Sequence, residues 1–77
     1  MHDTPRVFTG AATFVVTGLA SGAARAVLDE ISAVRGVEHA EADLEHGTIT
    51  VRAVGPVDRA DIALAVHRAG YEITHGP

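Results

Sequence analysis

A chain of 77 residues is one domain, and burying roughly 60% of the surface its unfolded chain exposes leaves it only a small core. Hydrophobic residues make up 47% of it, too many for a disordered chain, and with few aromatics (Phe8, Phe14, Tyr71) that core must be built from Val, Ile, Leu and Ala. A net charge of −4 with no lysine and six scattered arginines argues against a nucleic-acid binder, and the lack of cysteine excludes disulfides and thiolate metal sites.

Residues 1–10 are polar, with Pro5 and Gly10, and read as a flexible N-terminal tail before a domain over 11–75. Val7 and Phe8 are the residues there that could instead extend the first strand. The start lacks the basic residues and apolar run of a signal peptide, and no apolar run approaches the ~20 residues of a membrane span. A cytoplasmic chain with no membrane insertion is the expectation.

Ala12 to Thr17 is β-branched and aromatic and predicts a strand, with Phe14 and Val16 on the core side and Val15 outward. Gly18, Leu19 and Ala20 then lead to Ser21, which stands where a helix N-cap would stand. A helix is predicted from about Gly22 to Val34, with Val27, Leu28, Ile31 and Val34 as its apolar stripe. Gly36 ends it as a left-handed cap.

A second strand is expected over Val37 to Leu44. Its apolar face, Ala40, Ala42 and Leu44, is thin in volume, and Glu38, His39, Glu41 and Asp43 are its polar members, which suits a sheet edge. Glu45-His46-Gly47 makes a hairpin connection to a third strand, Thr48 to Ala53, with Ile49, Val51 and Ala53 inward. Val54-Gly55-Pro56 reads as a break. Asp58 then caps a second helix, with Val57 and Ile62 at staple positions and Ile62, Ala65, Val66 and Ala69 on its buried side. Gly70 closes it after His67 and Arg68, and Tyr71 to Thr74 is a fourth strand. The order βαββαβ predicts an α+β sandwich of ferredoxin-like type, a four-stranded antiparallel sheet with both helices on one face.

Gly18-Leu19-Ala20-Ser21-Gly22-Ala23-Ala24 resembles the loop of heavy-metal-associated domains, the small modules of copper chaperones and of the N-terminal tails of metal-transporting P-type ATPases. That loop reads Gly-Met-x-Cys-x-x-Cys, and its two thiolates hold a soft metal ion. Here Leu19 stands at the methionine position, and Ser21 and Ala24 stand at the two cysteine positions. The likeness continues through Ala33-Val34-Arg35-Gly36-Val37, Asp43-Leu44, Gly47-Thr48-Ile49-Thr50-Val51 and Ala69-Gly70-Tyr71-Glu72-Ile73, so it covers nearly the whole chain from Thr13 to Thr74. In bacterial members the tyrosine lies beside the metal loop, which implies that Tyr71 lies near Ser21.

The donor chemistry of that loop is gone. Copper(I) prefers thiolate or thioether sulfur, whereas Ser21 offers a hydroxyl and Ala24 a methyl group. No cofactor is expected there, and no metal residue is assigned with the loop's help. Five histidines remain, His2, His39, His46, His67 and His75, and no pair has helical i, i+4 spacing. The plain reading is five solvated side chains. The alternative is a weakly bound divalent metal on His39 and His46, which flank one hairpin, with Glu38, Glu41 or Glu45 as oxygen donors.

Ser21 as a nucleophile is disfavoured, because no Gly-x-Ser-x-Gly elbow is present and no histidine base is expected beside it; the chain is not read as an enzyme. The turn before the first helix, with Arg25 nearby, is only the general anion site that any helix start offers. The resemblance further implies a docking surface built from Gly18, Leu19, Ala20, Ser21, Gly22, Ala23, Arg25 and Tyr71. Its partner would be a metal-transporting ATPase or another heavy-metal-associated domain. The expected function is therefore a degenerate heavy-metal-associated domain, a docking or regulatory module in metal homeostasis; the alternative is direct metal carriage through histidine and carboxylate ligands.

Overall fold

The computed structural model describes residues 7–75, and of these the side chains of Ser21 and His75 lie outside the description. Six elements follow in the order β1 (Val7–Val16), α1 (Ser21–Ser32), β2 (Val37–Asp43), β3 (Thr48–Asp58), α2 (Arg59–Arg68) and β4 (Ile73–His75). The four strands form one sheet in the order β2-β3-β1-β4, antiparallel at every contact, as the βαββαβ pattern predicts.

The two central strands carry the core. Alternation along β1 buries Phe8, Ala12, Phe14 and Val16, and alternation along β3 buries Ile49, Val51, Ala53 and Val57. Onto this face α1 lays Val27 and Ile31, both fully buried, and α2 lays Ile62, Ala65 and Val66. Each such Val or Ile contributes about 1.5–3 kcal/mol relative to an exposed side chain. On the other face of the sheet Thr13 and Thr50, opposite each other in register, share a hydroxyl hydrogen bond at 3.0 Å.

The central pair is longer than the sequence pattern implies. β1 reaches back to Val7, so residues 7–10 belong to the sheet and not to a tail; residues 1–6 of that tail lie outside the described residues. β3 likewise runs on to Asp58 through the Val54-Gly55-Pro56 segment expected to break it. The register explains how. Phe8 faces Val57 and Gly10 faces Ala53, so one intervening residue on β1 matches three on β3, and the surplus is absorbed as a bulge. The extension brings Phe8 into the core, where its ring meets Phe14 edge to face with centroids 5.9 Å apart.

The two helices differ in how they are encoded. α2 has its signals in place: the Asp58 carboxylate accepts from the Ala60 N–H at 2.8 Å, Asp61 sits in the first turn, and His67 and Arg68 sit in the last. Val57 and Ile62 are both buried on either side of that cap, as a hydrophobic staple requires. α1 lacks such aids. Its N-cap is Ala20, not Ser21, with no side-chain cap bond, no acid in the first turn and no base in the last. Ser21 is the first helical residue, and the Ala20 carbonyl accepts from Ala23 and Ala24. Burial of Val27 and Ile31, not local chemistry, holds this helix. It also stops at Ser32, two residues short of the expected end.

At the margins, Leu44 lies past the end of β2 and is exposed, so it does not join the apolar face of that strand. β4 begins at Ile73, leaving Tyr71 in the connection from α2. β2 is an edge strand, as its thin apolar face implies.

Gly36 is the tightest point of the α1–β2 connection. It has φ 96°, and a Cβ there would stand 2.9 Å from Val57 Cγ2 and 3.4 Å from the Pro56 carbonyl oxygen. Gly70 has a similar φ of 93° with open space around it. Alanine at either position pays the left-handed strain, roughly 1–2 kcal/mol, but only Gly36→Ala also displaces the core valine. Urea denaturation should therefore rank Gly36→Ala clearly below Gly70→Ala in stability. Asp58→Ala should lose about 0.5–2 kcal/mol in the same assay through the lost cap.

Candidate functional site

Three connections meet at one end of the sheet. The β1–α1 loop leaves the end of β1 at Thr17. The β2–β3 turn reaches the same end, where Val16 donates its N–H to the Gly47 carbonyl at 2.9 Å. The α2–β4 connection arrives beside both, where Thr17 donates to the Glu72 carbonyl at 3.2 Å. Tyr71 is held there by its own N–H, bonded to the Val66 carbonyl at 3.1 Å, and its half-buried ring packs against the core.

The loop runs from exposed Gly18 to α1. Gly18 has φ 74°, and a Cβ on it would lie 3.9 Å from Tyr71 Cε1, so the tyrosine ring does lie against the loop. Leu19 is half-buried and packs on the core; Ala20 is exposed. Ser21 opens the helix, and the expectations for its hydroxyl, as cap or nucleophile, fall on a side chain outside the description. Gly22 and Arg25 are exposed, Ala23 is half-buried, and Ala24 is buried at 7% exposure.

The loop offers a soft metal nothing to bind. The Ala24 methyl points into protein, and residues 17–25 contain no sulfur and no imidazole. Cu(I) does not fit this donor set. What the loop presents is small and largely aliphatic, Leu19 with Ala20 and Ala23, with Tyr71 beside Gly18 and exposed Arg25 in the first turns of α1.

The histidines take a different arrangement from the expected pair. His39 lies on β2, with Nε2 3.6 Å from Glu41 Oε2. His46 lies in the β2–β3 turn, with Nδ1 2.8 Å from Asp43 Oδ2. His39 is four strand residues before Asp43, about 13 Å away at 3.3 Å per residue, so each imidazole meets its own carboxylate and the two do not converge. His67 is exposed on α2, His2 is outside the described residues, and so is the side chain of His75.

Asp43, expected only as a polar member of β2, organises the turn. Its Oδ1 accepts the N–H groups of Glu45, at 3.1 Å, and His46, at 3.3 Å, while Oδ2 meets the His46 imidazole. An ionised carboxylate only accepts, so Nδ1 carries the proton. The signal was present as an aspartate opening a turn with a histidine three residues on. The imidazole bond, with help from the two main-chain donors, holds the Asp43 carboxyl below the ordinary aspartate value.

Comparison with solved structures agrees with the architecture. The CopZ metallochaperone superposes with a TM-score of 0.78 at 22% identity over 84% of this chain and 100% of its own. A protein described for crosstalk between Cu(I) and Zn(II) homeostasis gives 0.77 at 21% identity, over 84% of this chain and 96% of its own. The yeast copper transporter domain Ccc2a, solved in the apo and Cu(I)-loaded states, gives 0.73 at 19% identity, over 84% and 94%. No family model and no curated protein matches the chain. No helix among the described residues is long and apolar enough to cross a membrane.

The turn makes a pH prediction. A carboxyl whose folded pKa is depressed stabilises the fold above its unfolded pKa, and that contribution is lost as pH falls through the folded value. Asp43→Asn should therefore be less stable than the parent at neutral pH. The gap should close in acid, below the ordinary aspartate range, as followed by circular dichroism across pH. The chain thus has the ferredoxin-like fold of heavy-metal-associated domains, with serine and alanine where that loop carries its thiolates.

Proposed function

We propose that this protein is a degenerate heavy-metal-associated domain that docks onto a partner in metal homeostasis without carrying copper. The observation that supports this most is the pairing of an intact loop scaffold with a donor-free loop: Gly18 against Tyr71, Leu19 on the core, and Ala24 buried where a ligand would stand. The neighbours are a metallochaperone and a copper transporter domain, which favours a partner of the same class. That partner would be a metal-transporting ATPase or another domain of this fold. Residues 18–25 with Tyr71 would form the contact, apolar at Leu19 and Ala20 and charged at Arg25. A cytoplasmic setting is consistent with this role.

The docking claim is tested by adding the metal-binding domain of a copper-transporting ATPase from the same host to ¹⁵N-labelled protein. Shifts confined to residues 17–25 and Tyr71, weakened by Leu19→Asp, support docking. No shift at high partner concentration contradicts it.

The scaffold claim has its own test. Ser21→Cys with Ala24→Cys should create a Cu(I) site that competes with a chromogenic Cu(I) chelator, while the parent chain leaves the chelator loaded. A folded double variant that ignores Cu(I) contradicts the loop assignment.

A further inference from the structure

The described residues bring a donor set together on the β2–β3 turn, at the same end of the sheet as the α1 loop but using none of its residues. We propose that Asp43, Glu45 and His46, on the β2–β3 turn, form a weak surface site for a divalent transition-metal ion of borderline softness. The inference is independent of the docking reading, since it uses none of residues 17–25.

One nitrogen and two carboxylate oxygens from these side chains lie within 4.8 Å of one another, and all three side chains are exposed. The closest pair is already near a shared-ligand spacing. His46 Nδ1 and Asp43 Oδ2 are 2.8 Å apart, while two donors on one ion at about 2.1 Å each stand about 3.0–3.4 Å apart. Nδ1 and that oxygen are the donors a cation would share; with the ring in its other neutral tautomer, its one proton on Nε2, both present lone pairs to the same ion. The carboxylate is also held in orientation, because its other oxygen takes the main-chain N–H groups of Glu45 and His46. The turn itself is tied to the sheet through the Val16–Gly47 bond. Glu45 is the adjustable third ligand.

The donor chemistry selects the ion. An imidazole with two carboxylates suits Zn(II), Ni(II) and Cu(II), not thiophilic Cu(I), and affinity should follow Cu(II) above Ni(II) and Zn(II). The imidazole also separates the site from a bare acidic patch, which would hold Mg(II) equally well. His39 supplies an internal control, since it has a carboxylate beside it at 3.6 Å but no third donor grouped with it among the described residues.

Titration of the ¹⁵N-labelled full chain with ZnCl₂, and separately with NiCl₂, tests this. Saturable perturbation centred on residues 43–47 is expected, with roughly tenfold weaker binding in His46→Ala and less than about twofold change in His39→Ala. Circular dichroism of both variants confirms that they fold. Perturbation that never saturates, that spreads equally to His39 and His67, that persists in His46→Ala, or that MgCl₂ reproduces at the same concentration overturns the site.

Discussion

The burial of α1 in the common core, against β2 and α2, is the constraint on which the rest depends. Val27 and Ile31 have no exposed surface, and neither do Ile49 and Val51 of the central strand β3 in the same core. The helix has no capping side chain and no favourable charge at either end, so this contact is what keeps it helical. Once it is in place, the loop before it has little freedom. Gly18 must turn back past Tyr71, and Leu19 must cover the end of the core.

That dependence explains how a metal-loop geometry persists without ligands. In small metal-nucleated domains the ion supplies the folding energy, and removing its ligands unfolds the chain. Here the described core is aliphatic and aromatic, fourteen buried residues with no buried polar or charged member among them. The loop sits at the end of that core and contributes Ala24 to the buried set. Replacing a thiol there by a methyl group keeps an apolar atom in an apolar place. On the proposed reading, stability and metal chemistry are separable in this fold.

Much of this was legible in the residues. The 3.6-residue spacing of Val27 and Ile31, the period-two run Ile49-Val51-Ala53, and the Asp58 cap each state a local preference that tertiary packing agrees with. The misses have physical causes. Gly55 and Pro56 end strands in isolation, but a bulge on β3 absorbs them because Phe8 and Val57 gain burial by pairing beyond it. The residue type of Ser21 favours a cap, whereas the chain enters α1 one residue earlier, at extended Ala20. The Asp43–His46 pair is not legible from histidine spacing, because the turn places each histidine beside a different carboxylate. That residues 17–25 hold no sulfur and no imidazole is read from the sequence alone.

The central claim is that folding and Cu(I) binding are uncoupled in this chain. A ligand that binds only the native state raises the unfolding temperature in proportion to the logarithm of its concentration over its dissociation constant. Thermal unfolding under reducing conditions, with the protein treated with a Cu(I) chelator in one sample and given equimolar Cu(I) in the other, measures this directly. Superimposable curves are the predicted result. A transition that moves upward with Cu(I), or downward with the chelator, would contradict the account.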